Sequence, residues 1–131
     1  MQQFQYIPKT ELARNTRQVI QNVLRGKTAV IENHGQPEVA IMDIVDYYLQ
    51  QAFIRYHANL PDAPAISTAT ERSISGIVEQ SNYDNAMRLY LSEQINLSRL
   101  AELLNLPVLD LRLRFVRLSI PLRLGNATNS M

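Results

Sequence analysis

Residues 7–48, IPKTELARNTRQVIQNVLRGKTAVIENHGQPEVAIMDIVDYY, hold most of the information about the fold. Pro8 blocks continuation of an opening strand over Gln3–Tyr6, whose alternation puts Phe4 and Tyr6 on one side. Thr10 and Glu11 read as an N-cap and a first-turn acid of a short helix. Asn15-Thr16 interrupts that helix, and Thr16 is expected to cap a second one reaching Arg25. Within it Val19, Ile20, Val23 and Leu24 fall on one helical stripe, with Arg17, Gln18, Gln21 and Asn22 outward. Gly26 supplies the left-handed stop.

Strands are expected at Thr28–Glu32 and Glu38–Met42, joined through Asn33-His34-Gly35-Gln36, where Gly35 can take the positive φ of a tight hairpin. Asp43 and Asp46 have the spacing of a capping box, so a third helix should begin near Ile44. It carries Tyr47, Tyr48, Leu49, Ala52, Phe53 and Tyr56, more apolar surface than one small sheet covers. A unit of this size buries too little core to stand alone, which points to a homodimer seamed by Tyr47, Tyr48, Phe53 and Tyr56.

Beyond it, residues 58–80 read as a linker with room for a short helix, marked by Pro61 and Pro64 among small residues. A helical module follows over 81–125. Ala86, Leu89, Tyr90 and Ile95 have core spacing; Asn96 caps a short helix through Leu104; Asn105-Leu106-Pro107 turns into a last helix over Val108–Leu118. Ser119-Ile120-Pro121 ends it, and 126–131 read as a disordered tail. The expected fold class is α+β: a small antiparallel sheet with helices over 1–57, then an all-helical, helix-turn-helix-like module.

Composition narrows the function. The chain has 131 residues, 46% of them hydrophobic, with no run near the ~18 apolar residues of a membrane span and no secretory leader at its start. It contains no cysteine, which removes disulfides and thiolate metal sites and fits a cytoplasmic location. Net charge is only +1, so nucleic-acid attraction would have to come from local patches. His34 and His57 have neither ligand nor triad spacing, and Ser73 and Ser75 have no base or glycine-rich elbow nearby. No enzyme, cofactor or metal is expected.

The N-terminal half resembles the Phd/YefM family of antitoxins through Thr10-Glu11-Leu12, Asn15, Val19-Ile20, Gly26, Val30-Ile31, His34-Gly35, Pro37 and Asp46-Tyr47. The resemblance covers roughly residues 3–56. It implies a homodimer with a continuous sheet, paired helical N-termini on operator DNA, repression of a toxin–antitoxin operon, and neutralisation of a cognate toxin. Carried onto this chain, the DNA-contacting set is Lys9, Thr10, Arg14, Arg17 and Lys27. Two positions depart from the family pattern: Ala13 precedes Arg14 where a basic residue is common, and Asn33 and Gln36 stand where hairpin arginines are common.

Residues 85–122 resemble the UPF0175 family through Leu89-Tyr90, Ile95-Asn96-Leu97, Arg99, Ala101-Glu102-Leu103, Asn105 and Ile120-Pro121. Leu118-Ser119 replaces that family's arginine-glycine. A DNA-reading second helix needs polar side chains outward, because base edges are read by hydrogen bonds. Here the outward positions are Val108, Leu109, Arg112 and Leu113. Leu109, Leu113 and Val116 recur at i, i+4, i+7, so this face is expected to meet protein: a partner, or further copies of the chain in a tetramer. Arg112, Arg114, Arg117 and Arg123 are candidates for secondary phosphate contacts. The competing expectation is an orphan interaction scaffold with little DNA affinity and no toxin.

Overall fold

The computed structural model describes residues 4–60 and 71–122, without the side chains of 71–75 and 77. The chain is α+β and divides into two compact units that meet in sequence between Tyr47 and Tyr48. That division falls inside the third helix, not at the expected linker.

In the first unit, β1 (Phe4–Pro8) leads directly into α1 (Lys9–Arg14), followed by α2 (Thr16–Leu24), β2 (Thr28–Asn33) and β3 (Gln36–Ile41). The sheet order is β1-β2-β3. β2 and β3 pair antiparallel, but β1 lies parallel to β2, Phe4 opposite Thr28 and Pro8 opposite Glu32. The expected antiparallel sheet is therefore mixed. The two intervening helices cause this: they return the chain to the same end of the sheet, so β2 starts where β1 started.

Val19 and Val23 of α2 pack on Ala29 and Ile31 of β2, with Ile7, Leu12 and Ile41 around them. By the strand register, Gln5, Ile7, Ala29, Ile31 and Ile41 share this covered face, while Phe4, Tyr6, Val30 and Ala40 share the other. Phe4 and Tyr6 are about half exposed there. Only half of the expected α2 stripe is buried, since Ile20 and Leu24 remain exposed. Three short strands offer too narrow a surface for all four.

Local chemistry explains the breaks. His34 (φ 53°) and Gly35 (φ 77°) form a two-residue turn with both φ positive, the conformation that matches strand twist in a tight hairpin. A register shift between Ile31 and Glu32 sets Glu32 opposite Pro37 and leaves Glu38 as the extra residue on β3. Proline and a bulge are both at home on an edge strand.

Asp43 caps α3 (Ile44–Ala58): its Oδ1 accepts from Val45 N (2.8 Å) and Asp46 N (3.2 Å). The two threonines behave otherwise than expected. Pro8 and Asn15 occupy the N-cap positions of α1 and α2, neither with a side-chain cap, and Thr16 Oγ1 donates backward to Leu12 O at 2.6 Å.

From Tyr48 onward the second unit contains the rest of α3, then α4 (Glu71–Leu91), α5 (Leu97–Leu104) and α6 (Val108–Leu118). α4 begins ten residues before the expected module, inside the segment assigned as linker. Ser73, Ser75 and Gly76 are poor helix formers, and they mask the i, i+3, i+4 spacing of Ile74, Ile77 and Val78 in the sequence. Leu49, Ala52, Tyr83, Ala86, Met87, Tyr90, Leu100, Ala101, Leu111, Phe115 and Ile120 are buried. Tyr90 and Phe115 meet edge to face at 5.7 Å, a favoured aromatic geometry. Asn96 Oδ1 accepts from Arg99 N at 2.8 Å and caps α5 as expected.

Every helix from α2 to α6 ends the same way. A residue with positive φ follows it (Gly26, Asn59, Glu93, Asn105 or Ser119), and the next N–H reaches back five residues. Lys27 bonds Asn22 O, Leu60 bonds Arg55 O, Gln94 bonds Leu89 O, Leu106 bonds Ala101 O, and Ile120 bonds Phe115 O. These are Schellman closures, which satisfy the last carbonyls of a helix. The expected tail over 126–131 lies outside the described residues, as does Arg123. Among the described residues no helix is long and apolar enough to cross a membrane.

Candidate nucleic-acid interface

Positive charge in the first unit gathers around α1 and the start of α2. Arg14 closes α1, with its side chain 76% exposed and its Nη2 3.6 Å from Glu11 Oε1. Arg17 is exposed in the first turn of α2. That turn contains no acid and no side-chain cap, so the positive end of the helix dipole is not offset by a carboxylate of its own. An anion is favoured at such an end. Glu11 works against this, because it neighbours Arg14 and its Oε2 accepts from Asn15 Nδ2. Thr10 is exposed in the first turn of α1.

Lys9 is exposed but engaged. Its Nζ lies 2.9 Å from Glu38 Oε1. That bond is the main reason the Glu38 carboxyl sits below its ordinary range; desolvation opposes the shift, and a weaker bond from Asn33 Nδ2 (3.4 Å) adds to it. Glu38 was not legible as part of this surface. The one hint was Pro37, which marks a disturbed edge strand, and the bulge beside it is what re-aims Glu38.

Lys27 stands apart from the others. It precedes Thr28, which pairs with Phe4, whereas Lys9 follows Pro8, which pairs with Glu32. The strand pair separates these two ends by four residues, roughly 13 Å. Lys27 also sits at the C-terminal end of α2, where its charge complements the dipole. The structure thus groups Lys9 and Thr10 on α1 with Arg14 and Arg17 around the α1–α2 junction, and leaves Lys27 at the opposite end of the sheet.

The aromatic residues expected at a dimer seam divide. Tyr47 is exposed. Tyr48 is half-buried against Tyr83 of its own chain, with ring centroids 5.1 Å apart. Phe53 and Tyr56 are half-buried, each within ring contact of His57. Tyr48 therefore serves the interior of the second unit, because α4 supplies the surface that a partner was expected to supply. Ile44 and Ile54, absent from the expected set, are exposed on α3.

On α6, Leu109 (73%), Leu113 (65%) and Val116 (62%) are exposed as a stripe, with Arg112 exposed beside them. The arginines of this helix are not equivalent. Arg114 Nε donates to Asp110 Oδ2 at 2.9 Å with only 12% of its side chain exposed, and Arg117 is half-buried. Of the expected secondary phosphate contacts among the described residues, only Arg112 is exposed. Leu111 and Phe115 pull the opposite face of the helix into the core and carry Arg114 with them.

Among the described residues no group of three or more His, Cys, Asp or Glu side chains is placed to hold a metal ion. The chain matches no protein-family model, no curated protein and no solved structure.

Proposed function

We propose that this chain is an antitoxin-like, DNA-binding transcriptional repressor that controls a toxin–antitoxin operon and neutralises a cognate toxin by protein binding. The observation that carries the reading is the α1–α2 junction: Arg14 and Arg17 project into solvent beside a helix start with no acid in its first turn. Two copies of that junction, related by a two-fold axis, would meet successive stretches of a duplex. In this reading Arg17 and the N-terminus of α2 hold phosphates, Thr10 lies at the same surface, and Arg14 reaches a base edge in the major groove. Lys9 contributes once Glu38 releases it, and Lys27 contributes only to a flanking phosphate.

The homodimer would use the half-exposed Phe4 and Tyr6 on the sheet face away from α2 together with Tyr47, all of which keep apolar surface in the single chain. The toxin would engage the segment after α3 or the C-terminal helices.

A second reading is favoured by the exposed leucine stripe of α6 and by the ion pair that occupies Lys9. In it the chain is an interaction scaffold with little DNA affinity and no toxin. A mobility-shift titration on the DNA upstream of the protein's own coding region, at low and moderate salt, separates the two. Sequence-selective retardation that weakens steeply with salt supports the repressor. Equal, weak retardation of any duplex supports the scaffold.

A further inference from the structure

The stripe on α6 has a symmetry that a generic sticky patch lacks. At about 100° per residue, Leu109, Leu113 and Val116 fall within roughly 60° of arc, with Leu113 near the middle of their length. Asp110 and Arg117 both lie on one flank of that arc, and Arg112 lies on the other. Asp110 and Arg117 are half-buried and Arg112 is exposed, so all three border the stripe; Asp110 already accepts from Arg114 through Oδ2, so a contact with a second copy falls to its Oδ1. From these positions we infer that α6 is a self-association surface whose occupant is the α6 of a second copy, packed antiparallel about a two-fold axis at Leu113.

The geometry follows from the axis. A two-fold perpendicular to an antiparallel helix pair brings like flanks together. With Leu113 facing its own copy, Leu109 comes within about 1.5 Å axially of the partner's Val116 position, and Asp110 within about 1.5 Å of the partner's Arg117 position. The apolar residues therefore fill one another's gaps, and two Asp110–Arg117 pairs form on one flank. Such reciprocity is what an isologous contact requires. Antiparallel packing also opposes the two helix dipoles, whereas a parallel pair would align them. On the other flank Arg112 meets its own copy, a like-charge contact that weakens the pairing. Three side chains on two turns are a smaller surface than the ~800 Å² per partner of a standard interface, so association is weak and concentration-dependent. It uses residues of the second unit alone.

The chain has no native cysteine, so single cysteines report the contact directly. Full-length Leu113→Cys should form a disulfide-linked dimer at least about tenfold faster than Glu79→Cys, an exposed control on α4. A mixture of Leu109→Cys and Val116→Cys proteins should cross-link mainly to each other. Light scattering should show the association weakened about tenfold by Leu113→Glu and by Arg117→Asp, which leaves the Asp110–Arg114 pair intact, and tightened by Arg112→Ala. Circular dichroism matching the parent chain establishes that each variant is folded, and the cysteine pair reports even if Leu113→Glu is not. Cross-linking of Leu113→Cys no faster than the control, preferential self-linking of Leu109→Cys, or association unchanged by Arg117→Asp each overturns the inference.

Discussion

The Lys9 ammonium and the Glu38 carboxylate stand 2.9 Å apart, joining the first turn of α1 to the bulge of β3. The pair holds Glu38 ionised below its ordinary range, chiefly through the bond from Lys9. A carboxyl depressed in the folded state stabilises the fold above its unfolded pKa, and that contribution disappears as pH falls through the folded pKa. Both partners are well exposed, so the effect on stability is small. An NMR titration of the Glu38 side chain should give a midpoint below that of a free glutamate, and Lys9→Met should raise it towards the ordinary value. An unchanged midpoint in the variant removes the ion pair from consideration.

The same pair sets a prediction for DNA. Glu38→Gln frees Lys9 and removes a negative charge near the α1–α2 surface. Under the repressor reading, affinity for duplex rises, and the slope of log K against log salt steepens by about 0.9 for each added phosphate contact. Titrating labelled duplex with parent and variant at several salt concentrations measures both quantities. A scaffold with no DNA surface shows neither change.

Arg14→Ala tests the base-reading role. Under the repressor reading, a charge-assisted contact from Arg14 to a base edge would be worth about 1–3 kcal/mol of discrimination, whereas a phosphate contact contributes equally on any sequence. Competition binding with specific and scrambled duplexes should show a loss of about tenfold or more on the specific site alone. Equal loss on both assigns Arg14 to the backbone.

How much of this was legible beforehand depended on how local the determining chemistry was. Asn96, Asn105 and Gly26 act on backbone groups a few residues away, so the close of α2 and both ends of α5 could be read directly. Thr10 and Thr16 could not: a threonine hydroxyl near a helix start can accept from a forward N–H or donate to a carbonyl behind it. Thr16 takes the second course, to Leu12 O. Strand direction is also invisible to a period of two, which is why β1 was not legible as parallel. In the candidate site, Arg14 and Arg17 announced themselves as outward basic residues of short helices. Glu38 did not, since it meets Lys9 only through a bulge 29 positions along the chain.

Two helix ends carry avoidable strain. Glu93 (φ 66°) and Ser119 (φ 60°) take the left-handed conformation that Gly26 takes after α2. For residues with a Cβ this costs roughly 1–2 kcal/mol, which the chain-entropy cost of glycine only partly cancels. Glu93→Gly and Ser119→Gly should each raise unfolding free energy by about 0.5–1 kcal/mol in urea denaturation, and the double variant should be close to additive. A loss of stability at either position means that its side chain makes a contact outweighing the strain.

Asp84 sets the largest expected effect. It is 5% exposed, accepts from Gln80 Nε2 at 3.0 Å, and faces Arg55 Nη1 at 3.7 Å, an ion-pair distance too long for a hydrogen bond. Asp84 Oδ2 and Arg55 Nη1 have no hydrogen-bond partner in the structure, so the charge of Arg55 is the main compensation for that buried oxygen. Arg55→Met leaves the carboxylate uncompensated. Breaking a buried pair costs about 3–5 kcal/mol, and Arg55, with 22% of its side chain exposed, belongs near or below the lower end. Asp84→Asn in the same background should recover much of the loss, because the amide has no charge to desolvate and keeps an oxygen for Gln80. A double-mutant cycle in urea then gives a coupling of at least about 1 kcal/mol. Additive single effects would show that the two charges do not compensate each other, and that the 3.7 Å approach is packing alone.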